Sequence, residues 1–136
     1  MSAPRRHLLL LGSNLPDASR IDQALELLRA IGPVQQPLPL RHGPPRSGQG
    51  AWYYNALAIL DCALDDAALD AAIAAIEQRL GRRRDGAEVA IDIDRLAVAE
   101  ADGAAWRPHP HAIAKGELDR APAAGLLADS GIQIAG

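Results

Sequence analysis

Asp92 and Asp94 stand two residues apart in the run Glu88–Ala99, EVAIDIDRLAVA. Residues spaced by two on a strand share a face, so both carboxylates project one way while Val89, Ile91 and Ile93 project the other. Adjacent carboxylates repel, at a cost that rises with burial. A divalent cation removes that cost. Hard oxygen donors of this kind suit Mg²⁺, above all when substrate phosphates complete its shell. The same spacing also suits a solvent-facing strand that happens to carry two acids.

Other candidates lie on either side. Glu77 and Arg82-Arg83-Arg84 fall at and just beyond the end of a helical stripe. Cations there either answer the helix dipole or grip phosphate through their guanidinium groups. Tyr53 and Asn55 share another strand face. The amide could read the edge of a heterocycle and the ring could stack on it, or the pair could be a core Tyr and an edge Asn. His111, after Pro110, and Lys115 could contact phosphate or belong to a proline-shaped surface loop. His109 and His111 lack a third ligand for zinc. Gly12-Ser13-Asn14 lacks the further glycines and the Lys of a phosphate loop.

The elements that must position these groups are legible from periodicity. His7–Leu11 reads as a short buried strand. A helix over 17–31 follows, with Ile21, Ala24, Leu25, Leu28 and Ile31 on one face, Asp17 as N-cap and Gly32-Pro33 as stop. Val34–Leu40 is a proline-interrupted edge strand, and Arg41–Gly50 a long loop. In the strand Tyr53–Cys62, alternation sets Tyr53, Asn55, Leu57 and Ile59 against Tyr54, Ala56, Ala58 and Leu60. Asp65 or Asp66 caps a second helix over 65–80, buried through Leu69, Ile73, Ile76 and Leu80. Glu88–Ala99 is the last strong strand. A weak helix is expected within 115–128, and a short strand or tail over 130–136. The order β-α-β-β-α-β predicts an α+β, ferredoxin-like sandwich with a C-terminal extension, in one domain spanning 1–136.

Composition narrows the partners. The chain is 136 residues long, 49% hydrophobic and 23% charged, an ordinary globular balance. Two Trp, two Tyr and no Phe leave few rings on which bases could stack, and a net charge of -3 gives no general pull on phosphate backbones, so no nucleic-acid partner is expected. The lone Cys62 rules out an internal disulfide and a multi-thiolate zinc site. Leu8–Leu11 is far too short for a membrane span or a signal core, so no membrane partner is expected and a cytoplasmic location is.

In order and spacing these motifs resemble the 6-hydroxymethyl-7,8-dihydropterin pyrophosphokinase family of folate biosynthesis, over about residues 7–128. The resemblance runs through Gly12-Ser13-Asn14-Leu15, Pro44-Pro45, Tyr53-Tyr54-Asn55-Ala56, Ile76-Glu77, Leu80-Gly81-Arg82-Arg83-Arg84, Ile91-Asp92-Ile93-Asp94 and Pro110-His111. It implies Mg²⁺-dependent transfer of pyrophosphate from ATP to the hydroxymethyl group of the pterin, releasing AMP. By the same resemblance Asp92 and Asp94 would hold two Mg²⁺ ions. Glu77, Arg82, Arg84, His111 and Lys115 would meet ATP, and Gly43, Pro44, Tyr53 and Asn55 would line the pterin pocket. The sequence departs from the family's pattern in three places. Asp85–Ala90 replaces a loop bearing Trp-Gly-Pro-Arg, and Arg41-His42 replaces a Tyr-x-Thr lead. Ala112–Asp119, with Lys115 as its one cation, replaces an Arg-Gly-Phe run. These departures define the alternative: a catalytically impaired relative that binds a pterin, a nucleotide or a protein without turnover.

Overall fold

A computed structural model describes residues 3–45, 47–83, 86, 88–100 and 103–135. Arg84 lies outside the described residues. The expected α+β, ferredoxin-like order is present: β1 (Arg5–Ser13), α1 (Ser19–Arg29), β2 (Val34–Gln35), β3 (Arg41–Gly43), β4 (Tyr53–Cys62), α2 (Asp66–Arg79) and β5 (Asp92–Ala99). The C-terminal extension adds β6 (Arg107–Pro108), α3 (Pro110–Lys115), a 3-10 turn (Glu117–Asp119) and α4 (Ala123–Ser130). The strands pair antiparallel in the order β2-β4-β1-β5-β6, and β3 pairs with β4 off that path.

Alternation along the two central strands divides the core as the sequence pattern requires. Leu9 and Leu11 of β1, with Ala56, Ala58 and Leu60 of β4, pack under α1 and α2. Leu8, Leu10, Leu57 and Ile59 face the other way, against Trp106, Ala112, Leu126 and Leu127 of the extension. The helices present most of their predicted stripes, Ile21, Ala24, Leu25 and Leu28 in α1 and Leu69, Ile73 and Ile76 in α2, while Ile31 and Leu80 lie past the helix ends and are only partly buried against the same core. Asp65 is the N-cap of α2, its side chain accepting from the Ala68 N–H at 2.8 Å. Asp17 takes a different part from the one expected. The N-cap of α1 is Ala18, and the Asp17 carboxylate accepts from the Ser19 N–H.

Four segments differ from the sequence-based expectation, and the first is the strand expected over Glu88–Ala99, which begins only at Asp92. The strand expected over 34–40 is ordered as strand only at β2, because Pro37 and Pro39 have no N–H to give a ladder. The expected loop begins with β3, whose His42 stacks on Tyr54 with ring centroids 4.1 Å apart. The weak helix over 115–128 is instead α3, the 3-10 turn and α4. The tail contributes a bridge from Ile134 to Trp106. None of the helices among the described residues is long and apolar enough to cross a membrane.

His7 is fully buried on the helix side of β1, with Arg95 Nη2 3.4 Å from its Nδ1. Burial, then the Arg95 and Arg5 charges, hold its pKa down at about 4. A group whose folded pKa is depressed below its unfolded value of 6.5 contributes stability that is present above pH 6.5. That stability is lost as the pH falls toward 4. Unfolding titrations of the wild type should therefore lose up to about 3 kcal/mol across this interval. A His7→Gln variant should show a flatter acid limb, and equal slopes for the two proteins would refute the assignment.

Candidate functional site

The central row of the site lies on the sheet face away from α1 and α2. Asn55 pairs with Gly12 and Gly12 with Asp92, so the three lie in one row across β4, β1 and β5. Leu57, Leu10 and Asp94 form the next row. Gly12 leaves a gap in the first. A Cβ there would meet Asn55 Oδ1 at 3.2 Å and the Tyr53 ring at 3.7 Å. Beside it, the Asn14 side chain accepts from the Val89 N–H at 2.6 Å, and the Asn14 N–H donates to the Val89 carbonyl at 2.9 Å. Asn14 thereby clasps the segment that leads into β5 and sets where Asp92 begins.

Two cavities meet at the acidic pair. The first, about 350 Å³, lies over the row just described. Gly12, Tyr53 and Asn55 form its floor. Pro44, Pro45 and Ser47 come from the loop after β3, and Ala121 and Pro122 from the extension. The second, about 490 Å³, opens off the outer edge of β5 between α2 and α3, lined by Glu77, Arg82, Arg95, His109 and His111. Asp92, Asp94, Lys115 and Glu117 line both.

The second cavity exists because β6 pairs with β5 only at Ala97 and Val98, leaving the outer edge of 92–95 without a strand partner among the described residues. Glu77 fills the gap. Its Oε2 accepts from the Ile93 N–H at 2.8 Å and from Arg82 Nη1 at 2.5 Å. The same Arg82 nitrogen donates to Asp92 Oδ1 at 2.5 Å. One guanidinium thus ties the end of α2 to the start of β5. Burial raises the Glu77 pKa, against the Ile93 and Arg82 hydrogen bonds that lower it.

Asp94 is held in a setting that disfavours its charged form. Burial, then the Asp92 and Glu117 carboxylates, raise its pKa to about 7, and Lys115 offsets only part of this. Burial and the Asp92 charge also raise the Tyr53 phenol. Such a carboxylate calls for a cation, so the donor set fits Mg²⁺. Among the described residues no group of three His, Cys, Asp or Glu side chains could hold a metal. The protein would therefore furnish the Asp92 and Asp94 carboxylates and leave the remaining positions to water and phosphate oxygens, a shell that Mg²⁺ favours.

Most residues singled out in the sequence converge here. Asp92, Asp94 and Lys115 line both cavities, Pro44, Tyr53 and Asn55 the first, and Glu77, Arg82 and His111 the second. Gly43 does not line either; it pairs with Tyr53 in the ladder beside the first cavity. Sequence reading missed Glu117, a carboxylate only 4% exposed at the junction. It also missed the wall made by Ala121 and Pro122. No periodicity marks either, since the turn that brings them in is set by Gly116 in the left-handed region.

Comparison with protein-family models gives a match over most of the chain. The model of 7,8-dihydro-6-hydroxymethylpterin-pyrophosphokinase matches residues 8–117, which include every residue named in this site except Ala121 and Pro122. No curated protein matches the chain.

Proposed function

The chain belongs to the 7,8-dihydro-6-hydroxymethylpterin-pyrophosphokinase family, whose members are ATP-dependent pyrophosphokinases of folate synthesis, and on that premise we propose that it catalyses the family's transfer itself. ATP occupies the cavity at the edge of β5 and the hydroxymethyl pterin the cavity over Gly12. The observation that carries this reading is the shared border. Two separate cavities, one rich in cations and one floored by Tyr53 and Asn55, meet at the same pair of carboxylates.

The reaction forms a bond from the pterin hydroxyl oxygen to the β-phosphorus of ATP. It breaks the bond from that phosphorus to the oxygen that leaves with AMP, and the hydroxyl proton is released. Asp92 and Asp94 would hold the cations, two in this reading; when bound, Mg²⁺ neutralises phosphate charge and polarises the phosphorus. The remaining work is positioning. Arg82, held by Glu77 and Asp92, presents a fixed guanidinium to phosphate. His111 and Lys115 line the same cavity from α3. Asn55 reads the heterocycle edge and Tyr53 stacks on its face, in space that a Cβ at position 12 would crowd.

The test is AMP formation from ATP and 6-hydroxymethyl-7,8-dihydropterin in the presence of Mg²⁺, with calorimetry of each ligand alone and together. Turnover, and tighter ATP binding when both cavities are filled, are expected. Absence of Mg²⁺-dependent ATP binding would overturn the reading. One observation favours a second reading, binding without turnover: Tyr53 is the only aromatic side chain among the described residues lining the first cavity. Binding of both ligands with no AMP formed would select it.

A further inference from the structure

Lys115 is the only lysine in the sequence, and it stands at the border of the two cavities. Its Nζ lies 3.5 Å from Asp94 Oδ1 and 3.6 Å from Glu117 Oε2, almost equidistant from two carboxylates. The Glu117 side chain is 5% exposed and that of Lys115 is 43% exposed, so the carboxylate is fixed and the ammonium has room to move. The backbone is shaped to set this pair. α3 ends at Lys115, Gly116 turns the chain at φ 64°, and Glu117 opens the 3-10 turn. The Arg120 guanidinium donates to the carbonyls of both Lys115 and Gly116, which fastens the turn.

An ammonium on Asp94 and a divalent cation on Asp94 compete, since two cations at one carboxylate repel at close range. Glu117 offers the ammonium a second partner without requiring it to leave the site. We propose that Lys115 is the resident counter-ion of Asp94 and passes to Glu117 when a divalent cation binds. Glu117 is then a positioning residue that keeps the ammonium at the border between the cavities. This rests on the proposed function, in which Asp94 receives Mg²⁺. It adds that the site supplies its own cation before the metal arrives and retains it afterwards beside the group being transferred, where positive charge favours the reaction.

Mn²⁺ binding without nucleotide, followed by electron paramagnetic resonance, separates the roles. Lys115→Met should bind Mn²⁺ about tenfold more tightly than the wild type, because a competing cation is gone. Lys115→Arg, which keeps a cation, should stay near the wild type. Glu117→Gln should weaken Mn²⁺ binding about tenfold in the wild-type background and much less beside Lys115→Met, since its effect passes through the ammonium. Reductive ¹³C-methylation gives one side-chain amine signal, which should move on adding Mg²⁺ with the midpoint of metal binding. Unchanged affinity in Lys115→Met, absence of Mn²⁺ binding in every variant, or an equal loss from Glu117→Gln in both backgrounds would overturn the proposal. These readouts need no turnover. A protein that shows them and forms no AMP would retain the counter-ion exchange and lose the proposed function.

Discussion

Asp94→Ala is expected to lower the rate of AMP formation about 10³-fold while leaving the protein folded. The carboxylate lines both cavities. In a transfer that depends on positioning and charge neutralisation, deleting one preorganised electrostatic partner costs roughly 10²–10³ in rate. A cation ligand belongs at the upper end of that range. Its pKa of about 7 adds a second readout. A proton and a cation compete for the same oxygens, so Mg²⁺ affinity should rise with pH up to about 7 and level off above it. Stability carries the opposite sign. A group raised above its unfolded value of 3.8 contributes stability that is complete below pH 3.8 and is lost as the pH rises through about 7. Asp94→Asn removes that loss. It should be inactive yet more stable than the metal-free wild type at pH 8, by about 1–2 kcal/mol after screening. Turnover within about tenfold of the wild type in Asp94→Ala would exclude the assigned role.

Gly32→Ala is expected to destabilise the protein by about 3 kcal/mol, lowering Tm by roughly 10 °C. A Cβ at position 32 would sit 1.9 Å from the Asp61 carbonyl oxygen and 3.1 Å from its carbon. The contact is with backbone, so no rotamer change relieves it. Nor can β4 retreat easily, because it is paired with β1 along its length and with β2 on the other side. The neighbouring Asp61 N–H also donates to the Pro33 carbonyl at 3.0 Å, which pins the same turn. The chain between α1 and β2 must shift instead. Thermal unfolding within about 2 °C of the wild type would show that it shifts freely.

Gly32 also marks what the sequence could and could not disclose. Its role as a helix stop was legible from Gly32-Pro33, whereas its close approach to Asp61 depends on a strand nearly thirty residues away. The same division holds across the site. Period-two alternation assigns Asp92 and Asp94 to one face and Tyr53 and Asn55 to another, and the ladders bring those faces together through Gly12. Local chemistry likewise narrowed the cap to Asp65 or Asp66 and announced the stripes of α1 and α2. β3 escaped because its ladder is made by Tyr53–Asn55, while its own glycine and the prolines after it speak for a loop. Glu117 escaped because a six-residue helix and one left-handed glycine carry it to Asp94. Long-range placement of short, weakly patterned segments is the information that periodicity does not hold.

The stretch of β5 that has no strand partner among the described residues has a consequence for the protein's self-association. An open strand edge is a template on which another chain can add a strand. Here a side-chain carboxylate occupies the hydrogen-bonding position at Ile93 that a neighbouring strand would otherwise take. The groove proposed for the nucleotide and the guard against sheet extension are therefore made of the same atoms. Substitutions at Glu77 or Arg82 made to widen that groove would also unmask the edge, and self-association would accompany the change in ligand binding. Under the proposed function ATP covers the same edge, so added ATP should suppress the self-association of those variants, which light scattering would read.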